Sequence, residues 1–360
     1  MAATGSPPSL PRMLLRELRR DYFSSIPSTL LTVFCLGLLA AMAWLLLDWG
    51  LLRATFSSSA RQPECATAGG ACWSIIANRW RLIFFGLYPY EEHWRSAIAC
   101  IVVVLTVFLS CLPAFWTGKR LSALWLAGYV AFVLFMKGGV FGLPLVREEQ
   151  WGGLSLTLFV FVSTVVIGMP AAIVLALMRN SQMPVIARTT GIVIDTVRSL
   201  PLLSILFTFA LVLPFMLPSF LVGEKLYRVI FGSAFFFAAY QAEIIRGGMQ
   251  GVSKGQDEAG KSLGLKYRHR VSLILLPQAF RSALPATINQ VVITFMETSI
   301  VVIVGFFELL ASANTAFGSG EWSFAYAEVY VFVAAIYFVF VFGLSRYGAY
   351  LEKRLSTDRR

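Results

Sequence analysis

Long apolar runs, not alternating or amphipathic patterns, dominate this chain. Ile26 to Leu47, Ser96 to Trp116, Trp151 to Met178 and Ser199 to Gly223 each proceed without a formal charge. A helix needs about 20 such residues to cross a bilayer core. Leu121 to Met136, Val229 to Ala242 and Val329 to Ser345 are shorter, and reach that length if Lys137, Arg228 and Arg346 snorkel at their ends. An eighth run, Ser282 to Phe307, carries Glu297 near its middle. The pattern predicts an all-α, polytopic membrane protein with about eight transmembrane helices.

Composition agrees: 58% of the 360 residues are hydrophobic and only 14% are charged, whereas a soluble domain carries about a quarter. The net charge of +11 invites a nucleic-acid reading. That reading needs a basic face on a folded domain, and here Lys and Arg occupy the gaps between apolar runs. With the N-terminus placed in the cytoplasm, 21 of the 30 basic residues fall on cytoplasmic segments, so the charge reads as topology and not as a nucleic-acid site. Eight spans with both termini inside satisfy this bias. The first run reads as a retained signal anchor, too long for a cleaved signal peptide.

Between Asp48 and Arg95 lies an outer loop, in which Trp73 to Tyr90 mixes apolar residues with Arg79 and Arg81 and suggests a helix lying in the membrane interface. Cys35, Cys100 and Cys111 fall in spans as small apolar packers. Cys65 and Cys72 lie in the outer loop, where joined and free states are both compatible with the sequence. No Cys or His grouping has metal spacing, and His93 and His269 lie on opposite sides, so neither a metal site nor a His-based catalytic centre is expected.

Gly255 to Ser262 satisfies the pattern of a phosphate-binding P-loop. Its physics is wrong for one. No strand pattern precedes it, and Asp257 and Glu258 would put two carboxylates in the phosphate cradle. ATP, if used, must be bound by another chain.

The same loop, residues 246–283, is organised as two helical pieces: Gln256 to Leu263, ending at Gly264 as a left-handed C-cap, and Val271 to Leu276, running to Pro277. Glu258-Ala259-Gly260, Gly264 and Ile274-Leu275-Leu276-Pro277 resemble the EAA loop of ABC importer permeases, with Gly260 replacing the family's second alanine. Ala239 to Gly248, Gly255-Gln256, Leu276 to Ala279, Arg281 and Leu284-Pro285 resemble the polar amino acid class, and Arg198 to Leu203 matches its Arg-Gly-Thr-Pro-Leu-Leu signature imperfectly. The resemblance covers roughly residues 151–354, a five-helix permease core. Residues 1–150 add three spans and the outer loop, similar in architecture to the larger permease of general L-amino acid importers. Residues 355–360 form a tail.

The resemblance implies a coupling helix built from Gln256, Glu258, Ala259, Gly260, Gly264 and Leu265, with Lys261, Lys266, Arg268 and Arg270 around it, docking on an ABC ATPase dimer. A side chain at Gly264 would penalise the turn by about 1 kcal/mol. ATP and magnesium would belong to that partner, with no cofactor and no catalytic residue in this chain. Further implied partners are a second permease, a periplasmic binding protein, an L-amino acid and membrane lipid, in a bacterial inner membrane.

A mid-bilayer carboxylate costs at least about 2.5 kcal/mol and persists if paired or facing a wet cavity. Glu297 is therefore a substrate candidate, with a bond to a neighbouring helix as the alternative. Met296 to Ile300 lies where the family usually has Lys-Asp-Thr-Ser-Leu, which adds Thr298 and Ser299 and leaves Met296 in place of the lysine. Ser199, Leu203 and Arg198 join this set because Pro201 breaks a span and unwound backbone beside a cavity builds transporter sites, with anchoring of the helix at the headgroups as the alternative for Arg198. Glu243 and Arg246, three apart, read as a pair holding a span boundary. Phe235 to Phe237 and Tyr337 read as packing or lipid-facing groups. The rival is an ion-driven secondary transporter, which would work alone and gives the loop motif no role.

Overall fold

The computed structural model describes residues 20–57, 65, 69–318 and 320–357. Arg12, Arg16, Arg19, Arg61, Arg359 and Arg360 of the charge count lie outside them. The described residues are helical and contain no strand, only isolated bridges. Among the described residues seven helices are long and apolar enough to cross a membrane, or eight if one bent pair counts as a single broken span. The chain divides into two compact units after Ala77.

In the first unit, α1 (Ile26–Leu47) starts at Ser25, whose hydroxyl accepts from the Ser28 amide at 3.3 Å. None of its residues is buried, and beyond its first turns it carries almost wholly apolar side chains. A wide turn, Asp48–Leu52, follows, and Trp73 Nε1 donates to the Gly50 carbonyl at 2.8 Å. Cys65 and Cys72 are joined, which settles the choice that the sequence leaves open. α2 (Ser74–Phe85) carries the chain into the second unit. Its Ile83 and Phe85 are buried, so this helix packs against protein and does not simply lie in an interface.

The second unit continues with α3 (His93–Ser110) and α4 (Gly118–Lys137). Then come α5 (Gly153–Arg179), α6 (Pro184–Ser199), α7 (Leu202–Met216) and α8 (Lys225–Gln250). The last elements are α9 (Lys254–Ser262), α10 (Tyr267–Val304), α11 (Leu309–Gly318) and α12 (Tyr326–Thr357).

α5 is the centre. Residues 155–164 are buried without a break, as expected of a helix that is apolar all round and enclosed by others. It packs chiefly on α8, which in turn packs on α10. Phe132 of α4 stacks on Phe159 of α5 at 5.0 Å, and Trp151 meets Phe159 edge-on at 5.3 Å. Gly153, at φ +62°, brings the start of α5 against the end of α2, where a Cβ would lie 2.1 Å from the Phe84 carbonyl oxygen. These contacts seat residues 78–150 directly on the helices after them.

Three expectations need correction. The run Ser199 to Gly223 is not one span: α6 and α7 meet at 107°, with Ser199 the last residue of α6. Pro201 has no amide hydrogen and forces Leu200 into an extended conformation, ψ 145°, so the helix stops there. Residues 184–199, expected as loop, form the amphipathic α6, which buries Thr190, Ile194 and Val197. Nor does the piece Val271 to Leu276 end at Pro277, because α10 runs through it to Val304. A widened π turn, Arg270–Leu275, precedes Pro277 and absorbs its missing donor.

Candidate functional site

The loop after α8 is a compact knob. α9 covers Lys254–Ser262, two residues earlier in its start than the sequence pattern places it, and Leu263 caps it. Gly264 is left-handed, φ +71°. The Gly264 amide donates to Lys261 O at 2.9 Å and the Leu265 amide to Gly260 O at 3.0 Å, the paired bonds of a Schellman motif. A left-handed residue with a Cβ is disfavoured by about 1–2 kcal/mol, which is why glycine stands here.

Asp257 ties the knob together. It accepts from Lys261 Nζ at 2.7 Å and from Arg270 Nε at 2.8 Å, while Arg270 Nη1 donates to Leu265 O at 3.1 Å. These two cations hold the Asp257 carboxyl below its usual range. Arg270 is therefore an internal strut, and Lys261, half-exposed, is already paired and not a free docking charge. Gly260 is buried under Arg270, and a Cβ there would lie 3.0 Å from Arg270 Cδ. What the knob presents outward is Gln256, Glu258, Ala259 and Leu263, the last 79% exposed, with Lys266 and Arg268 beside them.

Glu297 ends the regular part of α10, where it tightens into the 3-10 turn Thr298–Val304. It lines a narrow cleft with Thr298, Thr164, Ser233, Thr294 and Leu202, closed by Val160, Phe237 and Val301. No described residue forms a hydrogen bond or ion pair with its carboxylate. Thr164 Oγ1 is buried without a partner, while Thr298 Oγ1 donates to Phe295 O at 2.7 Å. The cleft thus offers a carboxylate and hydroxyls and contains no cation, a set suited to an ammonium group.

The other sequence-selected residues lie elsewhere. Ser199 Oγ donates to Thr196 O at 2.7 Å, Ser299 Oγ to Met296 O at 2.9 Å, and Leu202, not Leu203, reaches the cleft. Arg198 lies over the Tyr240 ring at 5.4 Å and 3.7 Å from Glu243. Glu243 also pairs with Arg246 at 2.8 Å, as the three-residue spacing suggests, and with Arg179 at 3.1 Å, whose guanidinium forks onto Asp195 at 2.9 and 3.1 Å. Five charges from α5, α6 and α8 form one network. Arg198 belongs to it and not to the cleft.

Glu308 was not marked by the sequence pattern. It is fully buried and accepts from the Leu310 and Ala311 amides at 2.9 and 2.8 Å and from Tyr337 Oη at 3.2 Å. It caps α11, and Thr157 Oγ1 of α5 accepts from the Leu309 amide at 3.0 Å beside it. Tyr337 is accordingly more than a packing group.

Residues 165–357 match the family described as binding-protein-dependent transport system inner membrane component. The chain belongs to this family. Among relatives of this transport family, the inner membrane amino-acid ABC transporter permease protein YhdY of Escherichia coli K12 is 38% identical over 348 residues, 95% of this chain and 93% of that protein. The glutamate/glutamine/aspartate/asparagine transport system permease protein BztC of Rhodobacter capsulatus is 30% identical over 96% of this chain and 94% of its own length. A crystal structure of an amino acid ABC transporter with histidines is 31% identical, covering 56% of this chain and 92% of that one, with a TM-score of 0.46. Membership makes this chain a multi-pass inner membrane transport component, in agreement with its apolar helices.

Proposed function

We propose that this chain is the permease of an ABC importer of L-amino acids, driven by ATP hydrolysis in a separate ATPase dimer. The knob carries the reading: a short helix closed by a glycine turn, braced from within by Asp257 and Arg270 and displaying Glu258 and Leu263 outward, is built to seat in a cleft of a soluble partner. Both full-length relatives are named for amino-acid transport. A gradient-driven carrier gives this knob no role.

The route of coupling follows from the helices. The knob packs on the first turns of α10, and Glu297 lies toward the far end of the same helix. Closure of the ATPase would move α10 and so reshape the cleft, the rocking of packed helices expected of alternating access. In the cleft, Glu297 would receive the substrate ammonium, with Thr164 and Thr298 beside it. Met296 stands where the family usually has a lysine, so a cation for the substrate carboxylate is assigned to a second permease. A periplasmic binding protein would deliver the substrate, and both termini would lie in the cytoplasm.

The test is purification of the assembly from native membranes, followed by uptake in proteoliposomes with and without internal ATP. Co-purification of an ATPase and ATP-dependent accumulation of an L-amino acid are expected. Accumulation by this chain alone under an ion gradient would overturn the proposal.

A further inference from the structure

An apolar groove of about 570 Å³ runs between α3, α5, α10 and α12. Val107 and Phe108 of α3, Phe161 of α5, and Val339, Gly343 and Leu344 of α12 line it, and its walls are almost wholly hydrocarbon. At one end Tyr347 Oη meets the Cys111 carbonyl at 3.5 Å. Just beyond that end the chain is basic. Arg354 lies over the Trp116 ring at 4.9 Å, Arg120 Nη1 donates to Ala114 O at 3.1 Å, and Lys119 and Arg346 are exposed nearby in the sequence of the same two helices.

We infer that this groove binds a phospholipid of the surrounding bilayer, with one acyl chain along α3 and α12 and an anionic headgroup at Arg120 and Arg354. Two physical arguments select this occupant. A groove between spanning helices has no water to expel, so it gains only from atoms that fill it, and an acyl chain is the matching filler. Cations gathered at one end of such a groove add attraction for negative headgroups. A protein helix apolar along its whole length would satisfy the first argument and leave the guanidinium groups without a counter-charge.

The groove also has a built-in control. Gly343 lines it, and a Cβ there meets nothing within 4 Å, so a side chain at this position starts into the groove unobstructed. The experiment uses the full chain in its native assembly, in nanodiscs doped with photoreactive phosphatidylglycerol or photoreactive phosphatidylcholine, and maps labelled peptides. Phosphatidylglycerol should label α3 and α12 about fivefold more than phosphatidylcholine for each guanidinium engaged. Gly343→Phe should abolish that labelling, whereas Arg120→Gln with Arg354→Gln should keep it and erase the headgroup preference. Gly343→Ala, with an unchanged melting temperature, serves where the larger variant fails to assemble, and should lower labelling only in part. Equal labelling by the two lipids, undiminished labelling in Gly343→Phe, or cross-linking of a Gly343→Cys variant to another protein would each overturn the inference.

Discussion

Asp257 and Arg270 meet at 2.8 Å across the glycine turn that separates α9 from α10. The ion pair fastens the knob to the helix it would drive. Asp257→Ala and Arg270→Ala should each reduce ATP-coupled uptake, and the double variant should be little worse than either alone, with a coupling energy of about 1 kcal/mol. Independent losses that simply add would show that the two do not act as a unit. Because the Asp257 carboxyl is held low, its contribution is present above the ordinary aspartate value and disappears as pH falls through the lower, folded one. Uptake should therefore show no loss from this pair between about pH 5.5 and 8.

At Gly264 the turn itself is at stake. Gly264→Val places a β-branched residue in left-handed backbone and should abolish ATP-coupled uptake, while the protein still reaches the membrane. Glu258→Lys should do the same without straining any backbone, since Glu258 is exposed. Wild-type uptake in both, at normal abundance, would remove the knob from the mechanism.

For the cleft, the informative change is Glu297→Gln, which keeps shape and removes charge. Transport should fall and the half-saturating substrate concentration should rise, with the assembly intact on gel filtration. Unchanged kinetics would make Glu297 a structural residue.

Glu308→Ala leaves the Leu310 and Ala311 amides and the Tyr337 hydroxyl without their acceptor in a fully buried place. Each orphaned group costs about 1–3 kcal/mol, so a clear drop in melting temperature is expected. Tyr337→Phe removes one bond and should cost less. A melting temperature unmoved by Glu308→Ala would rule out this capping role.

Glu243→Ala should destabilise by about 1–3 kcal/mol, since it removes the acceptor shared by Arg179, Arg198 and Arg246, of which Arg179 keeps Asp195. Substituting Arg198 alone should cost much less, given its 3.7 Å separation and half-exposed side chain. Thermal melts of the two variants in detergent decide between a shared network and the isolated Glu243 and Arg246 pair.

Local signals were legible in the sequence where the cause is local. Gly264 at the end of the helical pattern Gln256 to Leu263 suffices to place the left-handed C-cap, and the unbroken apolar runs, Ser199 to Gly223 excepted, locate long apolar helices. Pro201 announced a break, yet not that the helix before it would be an element of its own, because amphipathic α6 resembles a basic loop when charges alone are counted. The difference between Glu297 and Glu308 is instructive. One interrupts an apolar run and is visible by contrast, while the other follows a span end and looks like an ordinary loop acid. Only the approach of Thr157 and Tyr337, 151 and 29 residues away, encloses it. Likewise Leu202 and Leu203 are equivalent in sequence, and the direction of α7 after the bend decides which faces the cleft.

The passage of α10 through Pro277 carries a mechanical consequence. From Tyr267 to Val304 the helix is 38 residues, about 57 Å at helical rise, so one rod joins the braced knob to the cleft. Such a rod is stiff except where its ladder of bonds is interrupted, and Pro277 with its π turn and Pro285 are those places. Its compliance is concentrated near the knob end, which makes Pro277 a fulcrum and Glu297 the tip of the long arm. If a partner tilted the knob, the movement would be magnified at Glu297, and the length of the arm, more than any single contact, would set the gain.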